Sequence, residues 1–599
     1  MKSFSPGVAL VACLFFVTGL LAQSSSFFPL EQVKPGLKGY GKTTFEGNQV
    51  ERFEFEILGV LKNVGAKQDM ILARLAGPKL DRTGVFAGMS GSPVYIDDKL
   101  VGAVAAAFPF SKEPIAGITP IQQMVDIFKE RPATSAPSVV HADPRQWLKA
   151  STHLADLLPG SWAVASTGNG LGNASSLRRI ATPLNLSGFS PQVIEQFAPQ
   201  FRALGLEPVS GIGGMAADPT DDGRLEPGST VAVQLVRGDM DVSATGTVTH
   251  VSGNSVYAFG HPFLSIGYTD LPMSKAAVIT VIPTLMVSMK VAATTQSVGT
   301  IRQDRATGIM GVTGEKSKMI PVHLKVNTSR NEIIEYDYEV VNDTFLTPFL
   351  MAFTVQNGIV ASERAIGGQT LQLKCSITVK DQPEIVFENS VSDLASSTTF
   401  AALAAASPVH FLLNSGFENL VMEKMNIEIS AIEQTREAIL EKVWHDKLEA
   451  RPGEEVNLTV FLRKPNGELM AEKYPIKIPE DIAPGPLKLM VGDGTSFEKN
   501  DADSELEFVP TSLQQLVRAI NNLKKNDRLY IRLYRDQPGA LIGGEALPDL
   551  PPSLLALYRS EKTSGDVKTI NKVIYVEHEL SPTKFVLNGQ KVITINIKS

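Results

Sequence analysis

The chain has 599 residues, 43% hydrophobic and 20% charged, with 56 basic against 63 acidic side chains and a net charge of −7. That length suits three or four domains, and the apolar fraction can fill real cores, which excludes a disordered chain. The lack of a basic surplus argues against nucleic acid as a partner, and scattered Gly and Pro without heptad runs exclude collagen-like and coiled-coil architectures.

In chain order, Lys2 precedes an apolar run over 8–22, and 23–26 turn polar. Residues 1–22 therefore read as a secretory signal cleaved after Ala22. An uncleaved anchor is the alternative, since the run is shorter than the roughly 20 residues of a comfortable span. Either way the rest is expected outside the cytoplasm, periplasmic or secreted, touching membrane only through an uncleaved signal. Cys13 lies inside the signal, which leaves Cys375 alone in the strand-like LQLKCSITV, buried and without a disulfide. The eight histidines form no HExxH or clustered pattern and no CxxC exists, so neither metal nor organic cofactor is expected.

Between 37 and 124, KGYGKTTF, RFEFEILGVLKN, DMILARLA, GSPVYI, LVGAVAAAF and AGITPI are six short strand-like segments, giving a small β-barrel over 28–130. ERPATSAPSVVHADP reads as a linker, and 131–226 as linker plus a mixed α/β segment in which Ser190-Pro191 starts a helix ending near Gly205. A second strand-rich block, 227–390, has the size of another barrel. Over 391–480, LASSTTFAALAAA looks helical, and MNIEISAIE and VNLTVFLRKPNGE alternate as in an Ig-like β-sandwich with a turn at Pro465-Asn466-Gly467. The remainder, 481–599, reads as a small α/β region. Ser512 and Gln515 have capping-box spacing before Leu513, Leu516, Val517, Ile520 and Leu523, and Asn588-Gly589 marks a hairpin. The expected fold is mainly β: a double β-barrel, then a sandwich, then α/β.

One stretch carries chemistry. Gly88-Met89-Ser90-Gly91-Ser92-Pro93 is followed by a strand, a polar turn and another apolar strand. Small residues around Ser90 let the backbone turn tightly, exposing the hydroxyl and aiming the amides of Gly88 and Ser90 at one point, as an oxyanion requires. Ser92 reads as a turn residue, with a nucleophile as its alternative role. Lys99 and His250 read as surface residues, a Ser-Lys pair with Lys99 being the sharper alternative.

The order Gly-x-Ser-Gly-x-Pro, strand, turn, strand resembles the serine loop of chymotrypsin-like peptidases, and GMSGSP resembles the SpoIVB-type branch of that clan. Gly260-His261, in FGHPFLSIGYTD, is similar to the Gly-His that bears the family's general base, and Gly308-Ile309-Met310-Gly311 resembles its Gly-Ile-x-Gly segment. These matches span the two barrel-like blocks, somewhat under half of the chain. Two features depart from the family. Its histidine precedes its serine, whereas Ser90 comes about 170 residues before His261, so the two halves are expected in swapped order, which geometry-defined triads permit. Its acid, a little upstream of the serine, falls where this chain has Ala76-Gly77-Pro78. Asp304 is favoured instead, because its distance from His261 resembles that in chymotrypsin-like enzymes. Asp81, Asp270 and an acid-free Ser-His dyad stay open, as does an Asp304–Arg305 ion pair. No PDZ domain is evident.

The resemblance implies an exported serine endopeptidase that cleaves protein substrates through an acyl-enzyme on Ser90 with His261 as base. The carboxy-terminal domains would position substrate or tether an envelope protein partner. The rival is a catalytically inactive peptidase-like binding or scaffold protein of the bacterial envelope, and a third reading is an adhesion or assembly factor.

Overall fold

The computed structural model describes residues 26–129, 177–211 and 222–598, apart from 66, 364–366, 394–395, 418–419, 504–509, 511, 538, 543–544, 548–550, 559–566 and 571. The expected signal at 1–22 and the linker at 130–144 lie outside the described residues.

Alternating apolar side chains fold β1 (Lys38–Glu46), β2 (Gln49–Gly65) and β3 (Gln68–Ala76) into an antiparallel meander. Joined by β4 (Pro93–Ile96), β5 (Lys99–Ala107) and β6 (Ile115–Pro120), they form a ring in the order β1-β2-β3-β6-β5-β4, and β4 bonds back to β1. Phe53, Phe55, Ile57, Ile71, Leu75, Val94, Val104 and Ile118 fill one core within it.

The chain then crosses between barrels. β7 (Arg178–Arg179) pairs with β5, and β8 (Thr182–Ser187) pairs with β11 (Asp241–Ser252) of the next unit. The helix Pro191–Ala203 starts at Ser190-Pro191 as the sequence predicts and leads to β9 (Leu206–Ser210), parallel to β8.

The second barrel consists of β10 (Thr230–Gly238), β11, β12 (Ser255–Ala258), β13 (Gly267–Ile282), β14 (Met289–Arg305) and β15 (Gly308–Thr313). Its ring runs β10-β11-β12-β15-β14-β13 and closes on β10. With strands numbered within each barrel, both rings follow 1-2-3-6-5-4. One topology is built twice, although no sequence repeat betrays it. Ser90 lies between the third and fourth strands of the first barrel, and His261 between the third and fourth of the second.

Through β17 (Ile333–Val341) the second barrel's sheet continues into β16 (Met319–Asn327), β20 (Met422–Ile432), β18 (Gln369–Val379) and β19 (Ile385–Asp393). The largely buried, uncharged helices Leu346–Ser362 and Ser397–Leu413 lie in the same core, and Phe349 and Phe353 pack on Phe197 and Phe201. Cys375 is buried in β18. The sequence placed a boundary at 391 and put MNIEISAIE in the sandwich. Instead β20 pairs in parallel with β16, where Met425, Ile427 and Ile429 complete a core shared with Leu324 and Val326.

The sandwich comes later and is larger than expected. Glu437–His445, Glu455–Arg463 and Leu469–Lys477 with Val586–Asn588 form one sheet, and Gly485–Asp493, Leu529–Arg535, Val573–Glu579 and Gln590–Ile597 with Glu449–Ala450 form the other; the two share one core, so the supposed α/β region supplies most of one face of it. Asn588-Gly589 is not a hairpin: Val586–Asn588 pairs in one sheet and Gln590–Ile597 in the other, with Gly589 at the crossing. The helix Leu513–Asn521 carries the predicted cap, Ser512 Oγ accepting from the Gln515 amide at 3.2 Å. Its Leu516, Val517 and Ile520 enter the core of the middle sheet. No helix among the described residues is long and apolar enough to cross a membrane.

Candidate active site

Each of the two chemistry-bearing loops is anchored by a bulky neighbour. Met89 is fully buried in the core of the first barrel, beside Ser90, and Phe259 is fully buried in that of the second, two residues before His261. Burying such a side chain contributes about 1.5–3 kcal/mol, enough to hold Phe259 at φ 72°, a strained value for a non-glycine residue.

The barrels then meet backbone to backbone. Gly91 has φ 93°, and a β-carbon there would lie 2.5 Å from the Phe259 amide nitrogen and closer still to the Thr247 carbonyl oxygen. Gly260, at φ 68°, sits against Ala103 and Val104, and its carbonyl accepts from Thr119 Oγ1 at 2.6 Å. The residue after Ser90 and the residue before His261 are thus both contact points between the barrels.

Hydrogen bonding in the serine loop follows a pattern. Carbonyls 86 to 91 are all taken: Phe86 by the Met89 amide, Ala87 by the Lys290 amide, Gly88 by Thr247 Oγ1, Met89 by Ser92, Ser90 by the Thr247 amide and Gly91 by Thr249 Oγ1. The amides of Ala87, Met89, Gly91 and Ser92 are likewise used. Of the amides of residues 87 to 92, those of the buried Gly88 and Ser90 donate to no atom of the described residues. Buried, unpaired N–H groups are rare and costly, and two of them flanking a serine form the donor set that an oxyanion needs.

Ser90 Oγ and His261 Nε2 are both buried, and neither has a hydrogen-bond partner among the described residues, so they are not bonded to each other here. His261 Nδ1 lies 2.8 Å from the Pro262 carbonyl. A carbonyl can only accept, so the proton sits on Nδ1 and Nε2 keeps its lone pair. Burial pushes the imidazole down to about 4; the Pro262 bond opposes this and the Arg179 charge adds to it. His261 is therefore neutral at neutral pH, with Nε2 able to accept a proton.

The favoured acid does something else. Asp304 takes the amides of Phe263 at 2.8 Å, Leu264 at 2.7 Å and Ile266 at 3.2 Å, which holds the loop after His261. It makes no hydrogen bond to the imidazole, whose Nδ1 is already satisfied by Pro262, and none to Arg305, which reaches Gln303. Burial raises its carboxyl, opposed by those amides. Asp270 is engaged by Arg302 and the Lys318 amide, and Asp81 is exposed on the lip of the cleft. Ser92 Oγ donates to the Met89 carbonyl at 2.6 Å, a turn contact. His250 packs between Phe27 and Tyr257, and Lys99 is exposed. Gly308 to Gly311 form β15, beside the strand of Asp304. Among the described residues no group of three or more His, Cys, Asp or Glu side chains is placed to hold a metal.

His261 lines a cleft of about 1450 Å³ between the barrels, whereas Gly88 and the fully buried Ser90 do not. Its walls come from residues 80–85, the 107–115 connection, the 178–182 crossing, 261–265 and the β13–β14 tip at 284–288.

Residues 28–125 match the SpoIVB peptidase S55 family model. The match covers the ring β1–β6 with the GMSGSP loop and ends before the second barrel, so His261 and Asp304 lie beyond it. No curated protein and no solved structure matches the chain significantly. Over that stretch the first barrel is similar to SpoIVB-type serine peptidases.

Sequence reasoning missed Thr247, Thr249 and Lys290, which grip the serine loop from the second barrel. Their signals were legible in retrospect. Thr245, Thr247 and Thr249 line one face of β11, and Lys290 interrupts the apolar run at the start of β14.

Proposed function

We propose that the chain is an exported serine endopeptidase with its active site between the two barrels. What carries this reading is the pair of unpaired amides at Gly88 and Ser90 together with two buried polar atoms that have no partner among the described residues, Ser90 Oγ and His261 Nε2. A polypeptide entering the cleft at His261 uncovers the buried Ser90 and brings its scissile carbonyl to it. Substrate entry closes the gap between Oγ and Nε2, as resting enzymes often tighten on binding. Ser90 Oγ then attacks the carbonyl carbon while His261 Nε2 takes its proton, and the oxyanion forms against the two amides. His261 returns the proton to the leaving amine, leaving an acyl-Ser90 that water hydrolyses by the same path. The Pro262 carbonyl fixes the tautomer, the part a carboxylate plays elsewhere, so the site works as a Ser-His dyad with Asp304 bracing its loop.

Hydrolysis of an unfolded, fluorophore-labelled protein tests this. Wild type should release peptides, and Ser90→Ala and His261→Ala should lose at least about 100-fold in rate; equal rates in all three would end the proposal. Export is tested by sequencing the amino terminus of secreted protein, expected to begin at Gln23.

The complete burial of the Ser90 hydroxyl favours a second reading, a peptidase-like scaffold that binds protein in the cleft without cleaving it. That reading predicts substrate capture by wild type and by Ser90→Ala alike, with no products.

A further inference from the structure

Lys290 is one of the largest fully buried side chains in the protein, and the mechanism above does not use it. Its ammonium lies 3.3 Å from Thr230 Oγ1 and 3.5 Å from Thr247 Oγ1, and 5.9 Å from the centre of the Phe86 ring. No carboxylate pairs with it among the described residues. An uncompensated buried amine costs stability, so the fold would gain from an apolar residue of the same length.

Its surroundings suggest what that cost supports. Lys290 Nζ donates to Thr247 Oγ1, whose own proton goes to the Gly88 carbonyl at 3.0 Å. The Thr247 amide holds the Ser90 carbonyl at 2.8 Å, and the Thr247 carbonyl accepts from the Phe259 amide at 3.2 Å. The Lys290 amide also binds the Ala87 carbonyl at 2.9 Å. One buried threonine therefore touches both chemistry-bearing loops, and one buried lysine sets the direction of its hydroxyl proton. The Gly88 amide shares its peptide group with the Ala87 carbonyl, held by the Lys290 amide, and the Ser90 amide lies between the two carbonyls that Thr247 holds, so the contacts from the second barrel fix how both amides point.

We propose that Thr247 and Lys290 of the second barrel are positioning residues that clamp the Gly88–Ser90 loop of the first barrel in its oxyanion-binding conformation. The catalytic part of this rests on the peptidase reading; the clamp itself does not. Competence of the serine barrel is then conferred by its neighbour, and the S55 segment alone would hold a loop whose amides are not set.

The test uses the full chain as Thr247→Val, Thr247→Ser and Lys290→Met. Hydrogen exchange is followed in the 86–92 peptide, and fluorophosphonate reaction at Ser90 is resolved into initial affinity and labelling rate. Thr247→Val should speed exchange of 86–92 at least tenfold and slow the labelling step at least tenfold with initial affinity unchanged. Thr247→Ser, which keeps the hydroxyl, should restore both. Lys290→Met should raise Tm while slowing labelling, the opposite of what a structural residue does. Wild-type exchange in Thr247→Val would overturn the clamp. So would a Lys290→Met that loses Tm yet labels normally, or a folded Thr247→Ser as impaired as Thr247→Val. If wild type does not label at all, the peptidase reading falls and exchange alone decides the clamp.

Discussion

Gly91→Ala should separate the two barrels at the site. Its φ of 93° costs an alanine about 1–2 kcal/mol. The added carbon would also sit 2.5 Å from the Phe259 amide nitrogen, and nearer to the Thr247 carbonyl oxygen. Both atoms are backbone, so neither can rotate away as a side-chain end would. The loop must shift, which strains the Thr247 amide–Ser90 carbonyl and Thr249 Oγ1–Gly91 carbonyl bonds at about 1 kcal/mol each. With overpacking of about 1–3 kcal/mol, the total comes to about 5 kcal/mol. Gly36→Ala is the control, since it has φ 84° with nothing within 4 Å of its β-carbon and should lose only the conformational part. Urea unfolding followed by circular dichroism, with hydrogen exchange of peptides covering 86–92 and 245–261, measures both variants against wild type. A Gly91→Ala no less stable than Gly36→Ala, with unchanged exchange in those peptides, would refute the contact on which the site depends.

His261 should also report through pH. Held at about 4 when folded against 6.5 when free, it takes up a proton only in the unfolded chain between those values. Stability should therefore fall as pH drops from 6.5 toward 4, by about 1.4 kcal/mol per unit and roughly 3 kcal/mol in all; urea midpoints at pH 7.5, 6 and 5 should lose this slope in His261→Phe, and an unchanged slope contradicts the buried neutral imidazole. Asp304→Ala strands three backbone amides and should cost at least about 3 kcal/mol, with Asp304→Asn milder because it keeps an acceptor. A peptidase whose kcat falls in Asp304→Asn with no loss of Tm would instead make Asp304 the triad acid. Leu285, 99% exposed at the β13–β14 tip, and Met286 beside it should be worth under about 0.5 kcal/mol to the fold. Leu285→Ser/Met286→Ser should raise KM for protein substrates at constant kcat, and an unchanged KM removes the tip from the binding surface.

The first barrel was legible because its strands alternate within short turns and the GMSGSP loop stands out by composition. The second barrel's extent was harder to read. β13 and β14 are long, bulged strands in which runs such as Leu271 to Ser274 and Lys290 to Thr294 are buried on both faces, so they lack the alternation that marks a strand. That both barrels share one topology, and that Ser90 and His261 occupy equivalent connections, is visible only in the pairing. Asp304 illustrates the limit of spacing arguments. Its distance in sequence from His261 fits an acid, yet local amides claimed its oxygens. The boundary at 391 failed for a related reason: alternation identifies a strand such as β20 but says nothing about which sheet it joins. Gly589 shows the same at a smaller scale, since an Asn-Gly pair marks a reversal equally well at a hairpin or at a crossing between sheets.

The most direct measurement is reaction of purified protein with a fluorophosphonate, with the modified residue located by mass spectrometry in wild type, Ser90→Ala and His261→Ala. The account predicts one adduct, on Ser90 of wild type, absent from Ser90→Ala and strongly slowed in His261→Ala. Folded wild type that stays unmodified, or an adduct that persists on another serine, would contradict an activated Ser90.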